Sequence, residues 1–363
     1  MRHLGSAAAV FAFAVALAPT EVAALPTPDH VVVVILENHS YSQVVGSADA
    51  PFINQLAVQG ANFTNDPLLD PLAIRSGSHA TDHPSQPNYL ELYSGSTQGT
   101  VQDGYPGSPT EPFSTSPPFT TPNLGAALVS AGYTFATYSE GLPAVGSDAE
   151  TSPDNYARKH NPAVNWQNDV NPTVNQLPST ANQPFTAFSA IAAGPGFGAL
   201  PTVSFVVPNQ DNDMHDGSVA QGDAWVQANL AAYYAYASDP ANNSLLILTF
   251  DEDGDDTATN QITTIFAGAL VDPGDYYETD INLLAPDVAR TSPGLVTLTG
   301  TAMNHWNVLA TLEDMYGLAR AGASAGRPAI TDVWAVPEPA SAGLLGAGLA
   351  VLAARRRRMR ARA

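Results

Sequence analysis

The segment HVVVVILENHSY, residues 30–41, constrains the fold more than any other part of the sequence. Residues 31–36 form an unbroken run of branched apolar side chains, without the polar alternation of a half-exposed strand. Such a run is typical of a strand buried on both faces, as in the interior of a parallel sheet. The run stops at Glu37 and Asn38, so the predicted strand carries an acid and an amide to one edge of the sheet.

Similar apolar runs alternate with segments of helical spacing along the chain. Strands are predicted at 133–138 and within VSFVV, LLILTF and TTIF, and helices over 50–60, from Pro87, after Asn123, over 223–237 and over 307–318. Alternating strands and helices indicate an α/β fold, a three-layer sandwich with a mostly parallel central sheet. Sheets of this kind bind ligands beyond the carboxyl ends of their strands.

Three of the predicted strands end in side chains of the kinds that bind metal ions. They are Glu37 and Asn38 after the first, Asp211, Asp213 and His215 after the second, and Asp251 and Glu252 after the third. If the strands are parallel neighbours, these groups converge on one edge, where uncompensated carboxylates would repel one another. Carboxylate, amide and imidazole ligands without a thiol predict one or two divalent ions, with Zn²⁺, Mn²⁺, Fe, Mg²⁺ and Ca²⁺ as the candidates.

A nucleophile is available in the segment SHATDHPSQPNYLELYSG. Pro87 is suited to the first turn of a helix, which would place Ser85 at the helix N-terminus, where backbone N–H groups stabilise an anion. A metal ion would also lower the pKa of a seryl hydroxyl, and Asn88 could donate its amide to a substrate oxygen. The alternative interpretation of Ser85 is a helix N-cap without a catalytic role.

Both ends of the sequence have the composition of sorting segments. Residues 1–24 contain Arg2, an apolar run and small residues near position 24, which is the layout of a secretory signal peptide. Residues 335–363 contain the triplet Pro-Glu-Pro, an apolar run of 15 residues over 340–354 and a basic tail. This order resembles the PEP-CTERM sorting tail of Gram-negative bacteria, and the alternative is a plain carboxyl-terminal anchor.

The charge of the remaining segment, residues 25–334, limits its partners. It contains 6 Lys and Arg against 32 Asp and Glu, a net charge near −26, and Lys159 is the only lysine in the chain. Such a surface repels nucleic acid, so no nucleic-acid partner is expected. Because local Lys and Arg are few, the sequence predicts that metal ions supply the positive charge that an anionic substrate needs. The chain has no cysteine, which excludes disulfides and thiolate sites.

Six segments together resemble one protein family. In order along the chain they are ILENHSY, HPSQPNYLELYSG, YARKHNP, PNQDNDMHDG, LLILTFDED and NHWNVLATLEDMYGL. They resemble the phosphoesterase family of bacterial and fungal acid phosphatases and bacterial phospholipases C, within the alkaline phosphatase superfamily. The resemblance covers about residues 29–318 and implies an alkaline-phosphatase-like version of the α/β sandwich.

The resemblance implies roles for the first group of residues. Glu37 and Asn38 match the pair that holds the metal after the first strand. Ser85 matches the metal-bound nucleophile, and Asn88 matches the amide that orients phosphate. His83 lies in the same block and is expected to act as a general acid or a phosphate ligand.

Matches in the second half of the chain complete the expected site. They are Asp213, His215, Asp251, Glu252 and His305 as metal ligands, with His160 as a general acid or phosphate ligand. Relatives in the superfamily often have Asp-His where this chain has Asp251 and Glu252. Asp211 competes with Asp213, because Asp211 and His215 have the spacing seen in two-metal relatives, and the number of ions stays open.

The predicted function is therefore that of an exported, metal-dependent phosphoric ester hydrolase, most simply an acid phosphatase with a phosphoseryl intermediate. The alternatives are a phospholipase C-type phosphodiesterase and a non-catalytic protein associated with exopolysaccharide. The expected partners are a phosphate ester and an exosortase-type sorting machinery, with transient inner-membrane contact through the tail. The predicted destination is the cell envelope or the extracellular matrix.

Overall fold

The computed structural model describes residues 25–65, 76–103, 118–254, 259–277 and 302–335. The predicted signal peptide and, from residue 336 onward, the predicted sorting tail lie outside the described residues. Among the residues that are described, no helix combines the length and the apolar content needed to cross a bilayer.

The described chain forms eight strands and seven α-helices. The strands are β1 His30–Leu36, β2 Ala61–Phe63, β3 Phe135–Ser139, β4 Asn182–Pro184, β5 Val203–Val207, β6 Ser244–Phe250, β7 Thr264–Ala267 and β8 Gly274–Tyr276. The helices are α1 Tyr41–Val44, α2 Pro51–Gln59, α3 Ser85–Ser94, α4 Leu124–Ser130, α5 Phe185–Ala193, α6 Val219–Ala237 and α7 His305–Met315. Short 3₁₀ turns, among them Arg158–His160 and Ala163–Trp166, lie between β3 and β4.

All eight strands belong to one sheet, with the order β4-β3-β5-β1-β6-β7-β2-β8. Strand β1 pairs in parallel with β5 on one side and with β6 on the other. Only β7, among the described strands, runs against the common direction, because it pairs antiparallel with both β6 and β2. The carboxyl ends of β5, β1 and β6 therefore meet at one edge of the sheet.

The apolar residues of β1 divide between two hydrophobic cores. Val31, Val33 and Ile35 face a core that includes side chains of α3, α4 and α7. Val32, Val34 and Leu36 face a second core that includes side chains of α2, α5 and α6. Because both faces of the strand are covered, a polar side chain at any of these six positions would be desolvated, which explains the unbroken apolar run. The predicted α/β sandwich with a mostly parallel central sheet is confirmed.

The structure differs from the sequence predictions in detail. Helix α3 begins at Ser85, with Pro84 in the N-cap position, so the prediction of a start at Pro87 was wrong by two residues. Helix α6 begins at Val219, because the Ser218 side chain accepts a hydrogen bond from the Gln221 backbone N–H and caps it. The three-residue strands β2, β4 and β8 were not predicted, since so short a segment carries no readable periodicity.

Replacement of Phe205 by alanine tests the packing of the sheet against α3. The ring is buried in β5 and makes edge contacts with Tyr93 and Phe135, with both ring centroids 5.8 Å away. We expect Phe205→Ala to lower the free energy of unfolding by about 3–5 kcal/mol, measured by urea denaturation, because the cavity cannot close. Val58→Ala, on an exposed position of α2, should change it by less than about 0.5 kcal/mol, and equal losses in both variants would contradict this account of the core.

Candidate active site

The predicted convergence of acidic groups occurs at the carboxyl ends of the three central strands. The register pairs Leu36 with Phe250, so Glu37 and Asp251 leave neighbouring strands side by side. The Asp251 backbone N–H donates to the Leu36 carbonyl at 3.0 Å, and the Asn38 N–H donates to Asp251 Oδ1 at 3.1 Å. The loop after β5 contacts the same place, because the Glu37 backbone N–H donates a 2.8 Å hydrogen bond to the Asp213 carbonyl.

Ser85 lies within this group as the first residue of α3, with 1% of its surface exposed. Its hydroxyl is 3.0 Å from Glu37 Oε2 and 3.1 Å from Glu252 Oε1. These contacts exclude the N-cap interpretation, because Pro84 takes the cap position and the hydroxyl points to carboxylates. The side chain thus joins a helix N-terminus to the acids at the carboxyl ends of the central strands. These acids, Glu37, Asp213, Asp251 and Glu252, are called the acidic edge below.

Tyr89 holds the other oxygen of the Glu37 carboxylate. Its hydroxyl donates a short hydrogen bond to Glu37 Oε1, and its ring stacks on His160 with centroids 5.2 Å apart and planes at 10°. Tyr89 follows Ser85 by four residues, so the two side chains share one face of α3. That spacing was readable in the sequence, but nothing in the sequence identified Glu37 as the shared partner.

His160 lies between two buried carboxylates. Its Nδ1 is 3.2 Å from Asp213 Oδ2 and its Nε2 is 3.3 Å from Glu37 Oε1. Only an imidazolium could donate to both, yet burial, and then the charges of Lys159 and His215, lower the pKa of His160 well below its usual value. A neutral ring donates through one nitrogen only, which leaves a lone pair facing a carboxylate. A cation shared by that nitrogen and the carboxylate would remove this conflict.

The carboxylates themselves are held in an unfavourable environment. Burial, followed by the charges of Asp251 and Asp213, raises the pKa of Glu37 well above its usual value. Burial likewise raises the pKa of Asp213, and it raises that of Asp251 to about 6. Desolvation is the main cause for all three, and repulsion by neighbouring carboxylates adds to it for Glu37 and Asp213. A bound divalent cation would offset both effects.

Several buried polar atoms fit a metal ion. Asn38 Oδ1, Asp251 Oδ2 and His305 Nδ1 are buried and have no hydrogen-bond partner among the described residues. His305 Nε2 lies 3.0 Å from the Phe250 carbonyl, so Nε2 carries the proton and Nδ1 presents its lone pair. Burial also lowers the pKa of His305 to about 4, which keeps the ring neutral. Oxygen and imidazole donors of this kind suit a divalent ion.

The structure also brings together Glu37, His160 and His215, whose candidate ligand atoms lie within 4.8 Å of one another. His215 Nδ1 is 2.8 Å from Asp216 Oδ1, and its Nε2 is 3.3 Å from Lys159 Nζ. His160 therefore lies within a possible metal site, a position for which the sequence offered only a general-acid or phosphate-binding role. Asp211 is half-buried, whereas Asp213 is buried against His160.

Two other predicted residues border the nucleophile. His83 is partly exposed, with Nδ1 at 2.8 Å from Glu252 Oε2 and Nε2 at 3.6 Å from Asp253 Oδ1. Asn88 is buried, and its amide holds the loop before α3: Oδ1 accepts from the Asp82 N–H at 3.1 Å, and Nδ2 donates to the Asp82 carbonyl at 2.8 Å. In this conformation Asn88 faces the loop, so its direct effect is to position Ser85.

Comparisons with known proteins find relatives that are named as phosphatases. A phosphatidylinositol-3-phosphatase from Mycobacterium tuberculosis is 44% identical over 311 residues, which cover 86% of this chain and 84% of that protein. An acid phosphatase from Aspergillus fumigatus is 27% identical, over 79% of this chain and 54% of its own length, so the chain spans about half of that relative. A solved structure of a protein in the alkaline phosphatase superfamily from Vibrio parahaemolyticus is 12% identical with a TM-score of 0.48, and covers 86% of this chain and 75% of its own.

Two family models also match. The model of the Phosphoesterase family matches residues 66–319, which contain Ser85 and most of the acidic edge. The model of the PEP-CTERM protein-sorting motif matches residues 335–358. The chain therefore belongs to the Phosphoesterase family, is a hydrolase of phosphoric esters, and carries a PEP-CTERM sorting motif.

Proposed function

We propose that this protein is an exported, metal-dependent phosphatase of the acid phosphatase type, which acts on phosphoric monoesters through a phosphoseryl intermediate. The observation that carries the proposal is the Ser85 hydroxyl, held between Glu37 and Glu252 at the start of a helix. A buried seryl hydroxyl needs only one hydrogen-bond acceptor, and a backbone carbonyl can provide it without the desolvation of two carboxylates. The two acids beside Ser85 therefore indicate a functional role.

The groups proposed to hold the cation include the two acids in contact with that hydroxyl, Glu37 and Glu252. The others are Asn38, Asp213, Asp251 and His305, with His160 added from its position in the structure. His215 is left out, because its two nitrogens face Asp216 and Lys159. A divalent ion bound there would neutralise the carboxylates and lower the pKa of the seryl hydroxyl. The buried acceptor atoms of Asn38, Asp251 and His305 support this assignment.

The chain's own residues supply the remaining chemistry. The Ser85 proton is already directed to carboxylate oxygens about 3 Å away, so the oxygen can attack phosphorus as the proton leaves. Ser85 lies at the positive end of the α3 dipole, which favours the negative charge that develops on its oxygen. His83, oriented by Glu252 and partly exposed, is placed to protonate the leaving oxygen. Water then releases phosphate from Ser85.

A more specific substrate is favoured by one comparison. The relative with 44% identity is named a phosphatidylinositol-3-phosphatase, which removes a monoester phosphate from a lipid. A lipid-linked monoester is therefore the second candidate substrate, ahead of the phospholipase C and non-catalytic alternatives. The PEP-CTERM match supports export and processing by an exosortase-type machinery, with residues 1–24 as signal peptide and 25–334 as the catalytic domain.

Replacement of Ser85 tests the nucleophile. We expect Ser85→Ala to lower kcat on a chromogenic phosphomonoester by at least about 1,000-fold, because the proposed covalent intermediate forms on the Ser85 oxygen. Mass spectrometry of acid-quenched wild-type enzyme should find one phosphoryl group on the Ser85 peptide. Ser94→Ala, a buried serine later in the same helix, is the matched control and should retain activity. Equal rates for Ser85→Ala and the wild type would remove the proposed nucleophile.

A second experiment tests the metal ion. Chelation should abolish activity, and a divalent ion should restore it, because the acidic edge then regains its counter-charge. Asp251→Asn should lower the metal content found by elemental analysis. Asp223→Asn, at a buried carboxylate that instead binds the backbone N–H groups of Phe52 and Ile53, should not lower it. Full metal content in Asp251→Asn would contradict the proposed ligand set.

A further inference from the structure

Lys159 introduces a positive charge that the sequence did not lead us to expect at the site. Its Nζ is 2.7 Å from Asp103 Oδ2 and 3.3 Å from His215 Nε2. The three arginines in the described residues make other contacts. Arg158 bonds to Asn165, Arg320 pairs with Asp314, and Arg327 lies over the Trp306 ring. Lys159 therefore brings a positive charge into contact with His215, beside the acidic edge.

The hydrogen-bond pattern around Lys159 leaves one of its protons available. His215 Nδ1 lies against the Asp216 carboxylate, so Nδ1 carries the ring proton and Nε2 accepts from the lysine. An ammonium has three N–H donors, of which Asp103 takes one and His215 a second. The described residues provide no partner for the third.

Asp103 fixes the lysine relative to the nucleophile. One of its carboxylate oxygens accepts the backbone N–H of Gln86, the residue after Ser85, at 3.0 Å, and the other accepts Lys159 Nζ. The ammonium is thereby tied to the first turn of α3. Its side chain is 19% exposed, whereas Glu37, Asp213 and Asp251 are at most 1% exposed, so Lys159 lies on the solvent side of the acids.

Lys159 is paired with a carboxylate, because its Nζ lies 2.7 Å from Asp103 Oδ2. A lysine side chain in such an ion pair carries a positive charge at neutral pH. A permanent cation on the solvent side of an acidic site attracts an incoming anion and reduces its repulsion by the carboxylates behind.

We propose that Lys159 binds a non-bridging oxygen of the substrate phosphoryl group and thereby favours a dianionic monoester over a monoanionic diester. The inference rests on the proposed function, since it concerns the same site. The third ammonium proton is the donor, and Asp103 and His215 hold the ammonium in place. A monoester presents one more charged oxygen than a diester, so it gains more from the contact.

The first experiment measures the binding of inorganic phosphate to the metal-loaded protein by titration calorimetry. We expect Lys159→Met to weaken binding by about 10- to 100-fold, and to raise KM for a chromogenic monoester more than for a diester. Lys159→Arg should recover part of the affinity. Arg320→Met, which removes the same charge at the distant end of α7, is the control and should bind phosphate like the wild type. Unchanged phosphate affinity in a metal-replete Lys159→Met would overturn the proposal.

A second measurement needs no variant to fold. Because the chain has a single lysine, an amine-acylating reagent marks Lys159 among all its side chains, and peptide mass spectrometry measures the extent. Inorganic phosphate should slow this acylation with the concentration dependence found by calorimetry. Acylation unaffected by saturating phosphate would refute the contact. If Ser85→Ala is instead as active as the wild type, the proposed catalytic function fails, and these phosphate-binding measurements still decide the role of Lys159.

Discussion

Repulsion among buried carboxylates is the constraint on which the rest of this structure depends. Three parallel strands bring Glu37, Asp213 and Asp251 to one edge of the sheet, where almost no water reaches them. Their raised pKa values express the cost of that arrangement. The two large cores on either face of the sheet supply the stability that sustains such a cluster, and protonation or a bound cation would offset its charge.

The nucleophile is placed by the same elements that create the acidic edge. Helix α3 packs on the sheet through Leu90 and Tyr93, which directs its first turn at the ends of β1 and β6. Glu37 is then held at both oxygens, by Ser85 and by Tyr89, while Asn88 holds the loop that precedes the helix. Side chains fixed from two directions keep their geometry, and this preorganisation is what positional catalysis requires.

An acidic protein with a phosphate ester substrate needs local cations, and two sources are proposed for them. One is the proposed metal ion among the buried acids, and the other is Lys159 on their solvent side. The sequence analysis considered only the first, because a single lysine among 363 residues carries little weight by count. Its importance depends on its position, because contacts with Asp103 and His215 hold its ammonium group beside the acidic edge.

The sequence by itself determined the central strands, the layers on both sides of them and the residue types at their ends, because these follow from local periodicity and from the need to bury apolar runs. It also provided Ser85 and His83 as candidates, through one short segment. Only the tertiary structure decided that Tyr89 and Ser85 share the Glu37 carboxylate, that His160 lies between Glu37 and Asp213, and that Lys159 meets His215. These contacts join segments about 50 to 120 residues apart in the chain, and they depend on strand register and loop path, which no local pattern specifies.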